Sequence, residues 1–284
     1  MDLPMPAPTA QPAPLTAYKI LSFDVYGSLI EYKQHILAAF QPLLSRLPPD
    51  SPYRNTTPLS LTVPDSADKG SITFLRLFQK LEDAIKLEKP VKRFDEIMAE
   101  IWRRVAAELG VETSEEEARG FGSEGIISSW PCFDGTVEAL RVLERYYRLV
   151  ALSNIDRFAW GITSRSAASG LGEVEWWKVF TAEDFGEDSS RADDAKLETL
   201  LAFCEQQGFG KGEVLHVAQS LGHDHAPAKR AGLGSVWLIG DGPRWGKEEE
   251  SRKVLEGKVV GYGWKARNLR EFAAVVEREW EAKV

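Results

Sequence analysis

Tyr18-Lys-Ile-Leu-Ser-Phe23 is a short apolar run that ends at Asp24, the pattern of a strand covered on both faces. The apolar positions then change period. Ile36, Leu37, Phe40, Leu43, Leu44 and Leu47 share one helical face within Glu31 to Leu47, and Phe74, Leu75, Phe78, Leu81 and Ile85 share another within Ile72 to Leu87. Phe94 to Leu109 repeats the spacing and stops at Gly110. Thr113-Ser-Glu-Glu-Glu117 has the form of an N-cap with an acidic first turn, opening a helix toward Trp130. Beyond Pro131 the two periods alternate. Helices are predicted over Thr136 to Tyr146, Asp194 to Gln207, Ala226 to Ala231 and Asn268 to Lys283. Strands are predicted over Arg148 to Leu152, Val214 to Ala218 and Ser235 to Ile239.

This alternation predicts an α/β fold built on a parallel sheet with helices on both faces. No strand pattern occurs between Glu31 and Trp130, so that stretch is an all-helical insertion after the first strand. Proline marks the edges. Pro4, Pro6, Pro8, Pro12 and Pro14 make 1–17 an extended or disordered tail, and Pro48, Pro49, Pro52, Pro58 and Pro64 make 48–70 a long loop. The expected organisation is a tail over 1–17, a core over 18–30 and 131–284, and a helical insert over 31–130.

Composition narrows the function classes. A chain of 284 residues, 43% of them hydrophobic, has material for a sizeable core, and a net charge of −8 disfavours broad binding to nucleic acid or anionic membranes. No apolar run reaches the roughly 18 residues of a membrane span. The N-terminus has neither the basic start nor the apolar stretch of a signal peptide. Two cysteines, Cys132 and Cys204, make neither a disulfide framework nor a four-thiolate metal site. A cytoplasmic protein acting on a small molecule is the expectation.

Candidate chemistry concentrates at three strand ends: Asp24-Val-Tyr-Gly-Ser28, Ser153-Asn154, and Gln219-Ser220 with Asp224 close behind. Open parallel sheets bind ligands at the carboxyl ends of their strands. Asp24 suits a carboxylate aimed into such a cleft. Gly27 permits a tight loop beside it, and Ser28 and Ser220 place hydroxyls where an anion would sit among backbone N–H groups. Each feature also has a plain reading, as a helix cap or a turn. His223-Asp-His225 resembles a zinc pair, but alternate residues on a turn diverge, and His35 and His216 add no metal spacing.

Phe23-Asp-Val-Tyr-Gly-Ser-Leu29 resembles the first motif of the haloacid dehalogenase superfamily, in its L-2-haloacid dehalogenase branch and among fungal-type relatives. The stretch from Trp130-Pro to Leu-Ser-Asn154-Ile-Asp156 is similar to the second motif. His216-Val-Ala-Gln-Ser-Leu-Gly-His-Asp-His225, followed by Ala228-Lys-Arg-Ala-Gly232, is similar to the fourth. The resemblance covers about 18–30 and 130–275. It implies a Rossmann-like core with an inserted helical cap. It also implies a hydrolase in which Asp24 attacks as nucleophile and forms a covalent ester that water cleaves. Ser153 and Asn154 would position the nucleophile and a substrate carboxylate. The implied substrate is a small organic acid carrying a 2-halo substituent; the resemblance also allows a homodimer, of which the residues give no independent sign.

Three departures from the family pattern matter. Tyr26 stands where the phosphatases carry a second aspartate, which protonates the leaving alkoxide. Halide leaves without a proton, so Tyr26 favours halide displacement, either at the site or as packing beside it. The third motif's lysine aligns with Arg191, followed by Asp193; Lys196, one helical step on, is the alternative, and arginine is not an equivalent replacement. In the fourth motif Gln219 and Leu221 replace an acidic residue and an asparagine, while Asp224 remains to orient Arg191 or the hydrolytic water. No cofactor is expected. The alternative is magnesium on Asp24, the Tyr26 backbone carbonyl and Asp224, with less ligand charge than usual. Arg46, Phe40 and Trp130 are candidates for lining the cleft, and Arg46 for binding substrate. Competing functions are another reaction on the same nucleophile (epoxide opening, a biosynthetic step or phosphate-ester hydrolysis) and an interaction protein on a catalytically degraded fold.

Overall fold

The computed structural model describes residues 11–54, 69–88, 92–186, 192–240 and 259–283, with backbone alone at 69–72 and 192. Six parallel strands form one sheet in the order β3-β2-β1-β4-β5-β6. They are β1 (Ile20–Phe23), β2 (Arg148–Leu152), β3 (Trp176–Phe180), β4 (Val214–Ala218), β5 (Gly234–Leu238) and β6 (Trp264–Ala266). β1 and β4 are buried along their whole length, as strands flanked on both sides and covered on both faces must be. The chain runs outward from β1 through β2 to β3, then returns to β4 and runs the other way. The order reverses between β1 and β4, which is where ligands bind in open α/β sheets.

Between β1 and β2 the described residues are helical: α1 (Lys33–Leu44), α2 (Lys69–Lys86), α3 (Phe94–Glu108), α4 (Glu115–Phe121), α5 (Glu124–Ile127) and α6 (Thr136–Leu143). The later helices are α7 (Arg157–Arg165), α8 (Ala192–Gln206), α9 (Ala226–Ala231) and α10 (Leu269–Glu281). The helix expected to run from Thr113 toward Trp130 is two helices. Ser114 is its cap, accepting from Glu117 N–H, and the break falls at Gly122, where a Cβ would lie 2.2 Å from the Asp95 carbonyl of α3. That close approach requires glycine and stops α4.

The tail expected over 1–17 is shorter. Residues 1–10 lie outside the described residues, but Leu15–Ala17 forms a 3₁₀ turn with Leu15 fully buried. Its N–H donates to Glu279 on α10, and its carbonyl accepts from Tyr147 OH. Apolar burial and two long-range hydrogen bonds outweigh the prolines nearby. The loop expected over 48–70 falls mostly outside the described residues, and α2 begins within it at Lys69. No helix among the described residues is long and apolar enough to cross a membrane.

Phe40 proves to be interior to the helical insert, not cleft lining. It is fully buried, stacked on Trp102 at 4.8 Å and packed against Phe74, Phe78 and Phe121. Arg46 is likewise engaged within the insert: its guanidinium is bonded to the Glu117 carboxylate and the Glu112 carbonyl at the surface. For Phe40, a helical stripe identifies that the residue is buried, but not which neighbour buries it; for Arg46, the sequence does not show the acidic partner that holds it.

Candidate active site

β1 aims Asp24 at the sheet's carboxyl edge, with its N–H bonded to Val217 O of β4 as a continuation of the ladder. The chain then turns sharply. Gly27 adopts φ 93°, a left-handed conformation that disfavours any other residue, and Val25 O accepts from the N–H groups of Ser28, Leu29 and Ile30. This turn returns Ser28 to the carboxylate. Ser28 Oγ donates to Asp24 Oδ2 at 2.6 Å and accepts from Gln219 N–H at 3.0 Å, which ties the ends of β1 and β4 together. Gln219 contributes its backbone here, and Trp237 Nε1 holds its carbonyl at 3.1 Å.

Opposite stands a buried ion pair. Lys196 on α8 and Asp224, in the turn Leu221–His225 after β4, are each 1% exposed, and Lys196 Nζ lies 2.6 Å from Asp224 Oδ1. The same Oδ1 is 3.2 Å from His216 Nε2. Lys196, the alternative to Arg191, is the cation paired with Asp224 among the described residues; Arg191 itself lies outside them. Asp224 is bonded to Lys196.

Electrostatics separates the two aspartates. Burial, then the charge of Asp224, raises the proton affinity of Asp24 above the ordinary carboxylate range, against the pull of Lys196 and the Ser28 hydroxyl. Burial acts on Asp224 too, but the Lys196 ammonium and the His216 hydrogen bond outweigh it and hold that carboxyl well below the ordinary range. Lys196 remains an ammonium: burial opposes its charge, and Asp224 and Asp24 more than restore it. Asp24 keeps partial exposure in this surround, as a group that meets a ligand must.

The other expected residues divide. Ser153 is buried at the end of β2, and its hydroxyl accepts only a long bond, 3.4 Å, from Ile155 N–H. Asn154 Nδ2 donates to Asp193 Oδ1 at 3.0 Å, and Asp193 Oδ2 meets His223 Nδ1 at 2.8 Å, so Asp193 links the turns after β2 and β4. Asn154 Oδ1 is buried without a hydrogen-bond partner among the described residues. The cap of the following helix, α7, is Asp156, not Ser153 or Asn154. Ser220 caps the turn after β4 by accepting from His223 N–H, a local structural role. His225 is fully buried between Ser235 Oγ and Ala218 O, far from sharing a ligand set with His223.

Tyr26 bonds through its hydroxyl to Thr163 Oγ1 of α7 at 2.7 Å, and its ring lies 5.4–5.8 Å from those of Tyr32, Phe94 and Trp130. Burial raises its proton affinity. It thus joins the insert to the core, and its hydroxyl is engaged with Thr163. Two residues escaped the sequence reading: Tyr32 and Lys33, which close over the turn, so that a side chain at Gly27 would meet them at 3.6–3.9 Å. On α2, Glu82 is buried and paired with Lys86 at 2.7 Å; its charge and that of Asp24 both act on Tyr32.

The fit to magnesium is poor. Asp224 Oδ1 is already taken by an ammonium and an imidazole, Gln219 brings no charge, and the described residues hold no group of three His, Cys, Asp or Glu arranged for a metal.

No family model and no curated protein matches the chain. Solved structures do. An L-2-haloacid dehalogenase superposes at TM-score 0.62 with 17% identity, over 92% of this chain and 99% of that one. The L-2-haloacid dehalogenase of Xanthobacter autotrophicus with chloropropionic acid covalently bound superposes at 0.60 with 14% identity, over 92% and 98%. A Bacillus subtilis protein described as a HAD-hydrolase and bound to magnesium superposes at 0.61 with 16% identity, over 92% and 99%. The chain has the haloacid dehalogenase fold: a Rossmann-like parallel sheet with a helical insertion after its first strand. Among these structures it resembles the L-2-haloacid dehalogenases.

Proposed function

We propose that the protein is a hydrolase that uses Asp24 as a nucleophile and passes through a covalent ester. The observation that carries this is the arrangement of Asp24 between the Ser28 hydroxyl and the Lys196–Asp224 pair at the sheet's switch point. An oxygen of Asp24 attacks the carbon bearing the leaving group. The C–O bond forms as the bond to the leaving group breaks, and the electron pair departs with that group. Water then adds to the Asp24 carboxyl carbon, the ester C–O bond at that carbon breaks, and the alcohol and the free carboxylate are restored. Lys196 holds the carboxylate ionised for the first step. Ser28 and the Gln219 N–H fix its direction, so little reorganisation is needed.

With Tyr26 bonded to Thr163, no general acid stands at the position that phosphatases use. Leaving groups that depart without a proton are favoured, halide above all. The preferred substrate class is a small 2-haloacid, as for the dehalogenases of this fold. Its carboxylate would not be met by Arg46, which is engaged with Glu117; Lys33, whose Nζ lies beside the Gly27 turn, is the candidate cation. We further infer that turnover needs no magnesium.

A panel of 2-haloacids, epoxy acids and phosphate esters, each with magnesium and with chelator, tests this. The expected outcome is haloacid turnover unchanged by chelation. Phosphate-ester hydrolysis that depends on magnesium would overturn the readings of both Tyr26 and the metal.

A further inference from the structure

His216 is fully buried in the middle of β4, in a strand whose other residues are Val214, Leu215, Val217 and Ala218. An imidazole in such a place is costly unless both nitrogens are satisfied. Nδ1 lies 2.9 Å from Ser22 Oγ and Nε2 3.2 Å from Asp224 Oδ1. Ser22 and His216 are register partners on adjacent strands, and Ser22 precedes Asp24 by two residues. The pair therefore lies on the Asp24 face of the sheet, one step below it. The ionised Asp224 carboxylate only accepts. Nε2 accordingly carries the hydrogen, and in the neutral ring Nδ1 accepts from the Ser22 hydroxyl.

The Lys196 ammonium and the His216 N–H converge on one oxygen of Asp224 from two elements, α8 and β4. We propose that Ser22 and His216 are positioning residues of this site, holding Asp224 so that Lys196 is shared between Asp224 and Asp24. The proposal rests on Asp24 as the nucleophile. With the imidazole N–H in place, Asp224 is satisfied by two donors. Without it, Asp224 draws the ammonium to itself and Asp24 loses its counter-charge. A ring kept only for packing would be replaceable by leucine at a cost in stability alone.

The test is the titration of the Asp24 carboxyl carbon by ¹³C NMR, its resonance identified by its loss in Asp24→Asn, alongside the pH profile of 2-chloropropionate turnover. His216→Leu is expected to move the Asp24 midpoint and the acid limb upward together. It should also lower kcat by about 10-fold with KM unchanged, the size typical of lost outer-shell partners. His216→Gln, which offers an amide N–H to the same oxygen, restores most of this, and Ser22→Ala moves the midpoint part of the way. A folded His216→Leu whose Asp24 titrates as in the wild type, or a Gln variant no better than Leu, overturns the proposal. If the Leu variant does not fold, an unmoved midpoint in Ser22→Ala overturns it instead. The NMR midpoint needs no turnover. Failure of the nucleophile reading shows separately, as an Asp24→Asn variant that still turns over.

Discussion

The sheet edge and the helical insert both carry many charges, but they use them oppositely. At the ends of β1 and β4 the charged groups are buried and point at one another: Lys196, Asp224 and His216 meet on one oxygen, and Asp24 stands beside them with a raised proton affinity. In the insert, the arginines are tied off at the surface, Arg46 to Glu117, Arg103 to Glu115 and Arg104 to Glu88, while aromatic rings fill the interior. Buried, convergent charge costs stability and is retained where chemistry uses it; exposed pairs contribute little of either. Under the proposed mechanism, reactivity lies in the core. Recognition is left to the few insert residues that reach the turn, Tyr32 and Lys33 first.

The largest break in that contrast is Asp24→Asn. It should reduce kcat/KM by on the order of 10⁴-fold or more, as loss of a nucleophile does elsewhere. It should also raise the melting temperature. A carboxyl whose folded proton affinity is raised contributes stability below its unfolded pKa and loses that contribution as pH rises through the folded one. The wild type should therefore weaken between about pH 4 and 7 where the Asn variant does not, so the gap between their thermal melts opens over that range and levels off above it. Next in size is Lys196→Met. It leaves Asp224 without its ammonium at an almost fully buried position and should cost about 3 kcal/mol in denaturant unfolding. Adding Asp224→Leu should recover part of that loss without restoring activity.

The pH profile sharpens the same point. In the proposed mechanism Asp24 acts ionised, so the rate should fall with acid along a limb well above the ordinary carboxylate value of about 4. In Lys196→Met that limb should move higher still. On the insert side, Phe40→Ala should cost about 3–5 kcal/mol in stability, as large-to-small changes in packed cores do, and leave turnover per folded molecule intact. Smallest is Arg46→Ala, for which kinetics on 2-haloacids should show no change in KM; a marked rise would return Arg46 to the cleft.

Much of this was legible from residue pattern. β2, β4 and α9 fall where the apolar period and the stop at Gly232 predict. β3 escaped because Trp176-Trp-Lys-Val-Phe180 is a half-buried edge strand, its Trp177 packed on Phe203 and Phe209 with Arg148 over the ring. β6 has three residues, too few for a period, and α7 is nine residues long with Gly161 at its middle and Thr-Ser-Arg at its end, too short for a long apolar stripe. At the site, Asp24 and Ser28 were readable because four residues and one glycine turn determine their contact. Lys196 was only an alternative, since the exact start of α8 decides which cation faces inward. His216 was invisible as a functional residue because its partner Ser22 lies 194 positions away and only the β1–β4 register joins them.

The central claim is a covalent ester on Asp24. A single turnover of enzyme in excess over 2-chloropropionate, run in ¹⁸O-water and followed by mass spectrometry of the Asp24 peptide and the product, tests it directly. The account predicts that ¹⁸O enters the Asp24 carboxyl and that the first product molecule carries none. Label appearing at once in the product, with an unlabelled Asp24 peptide, would contradict it.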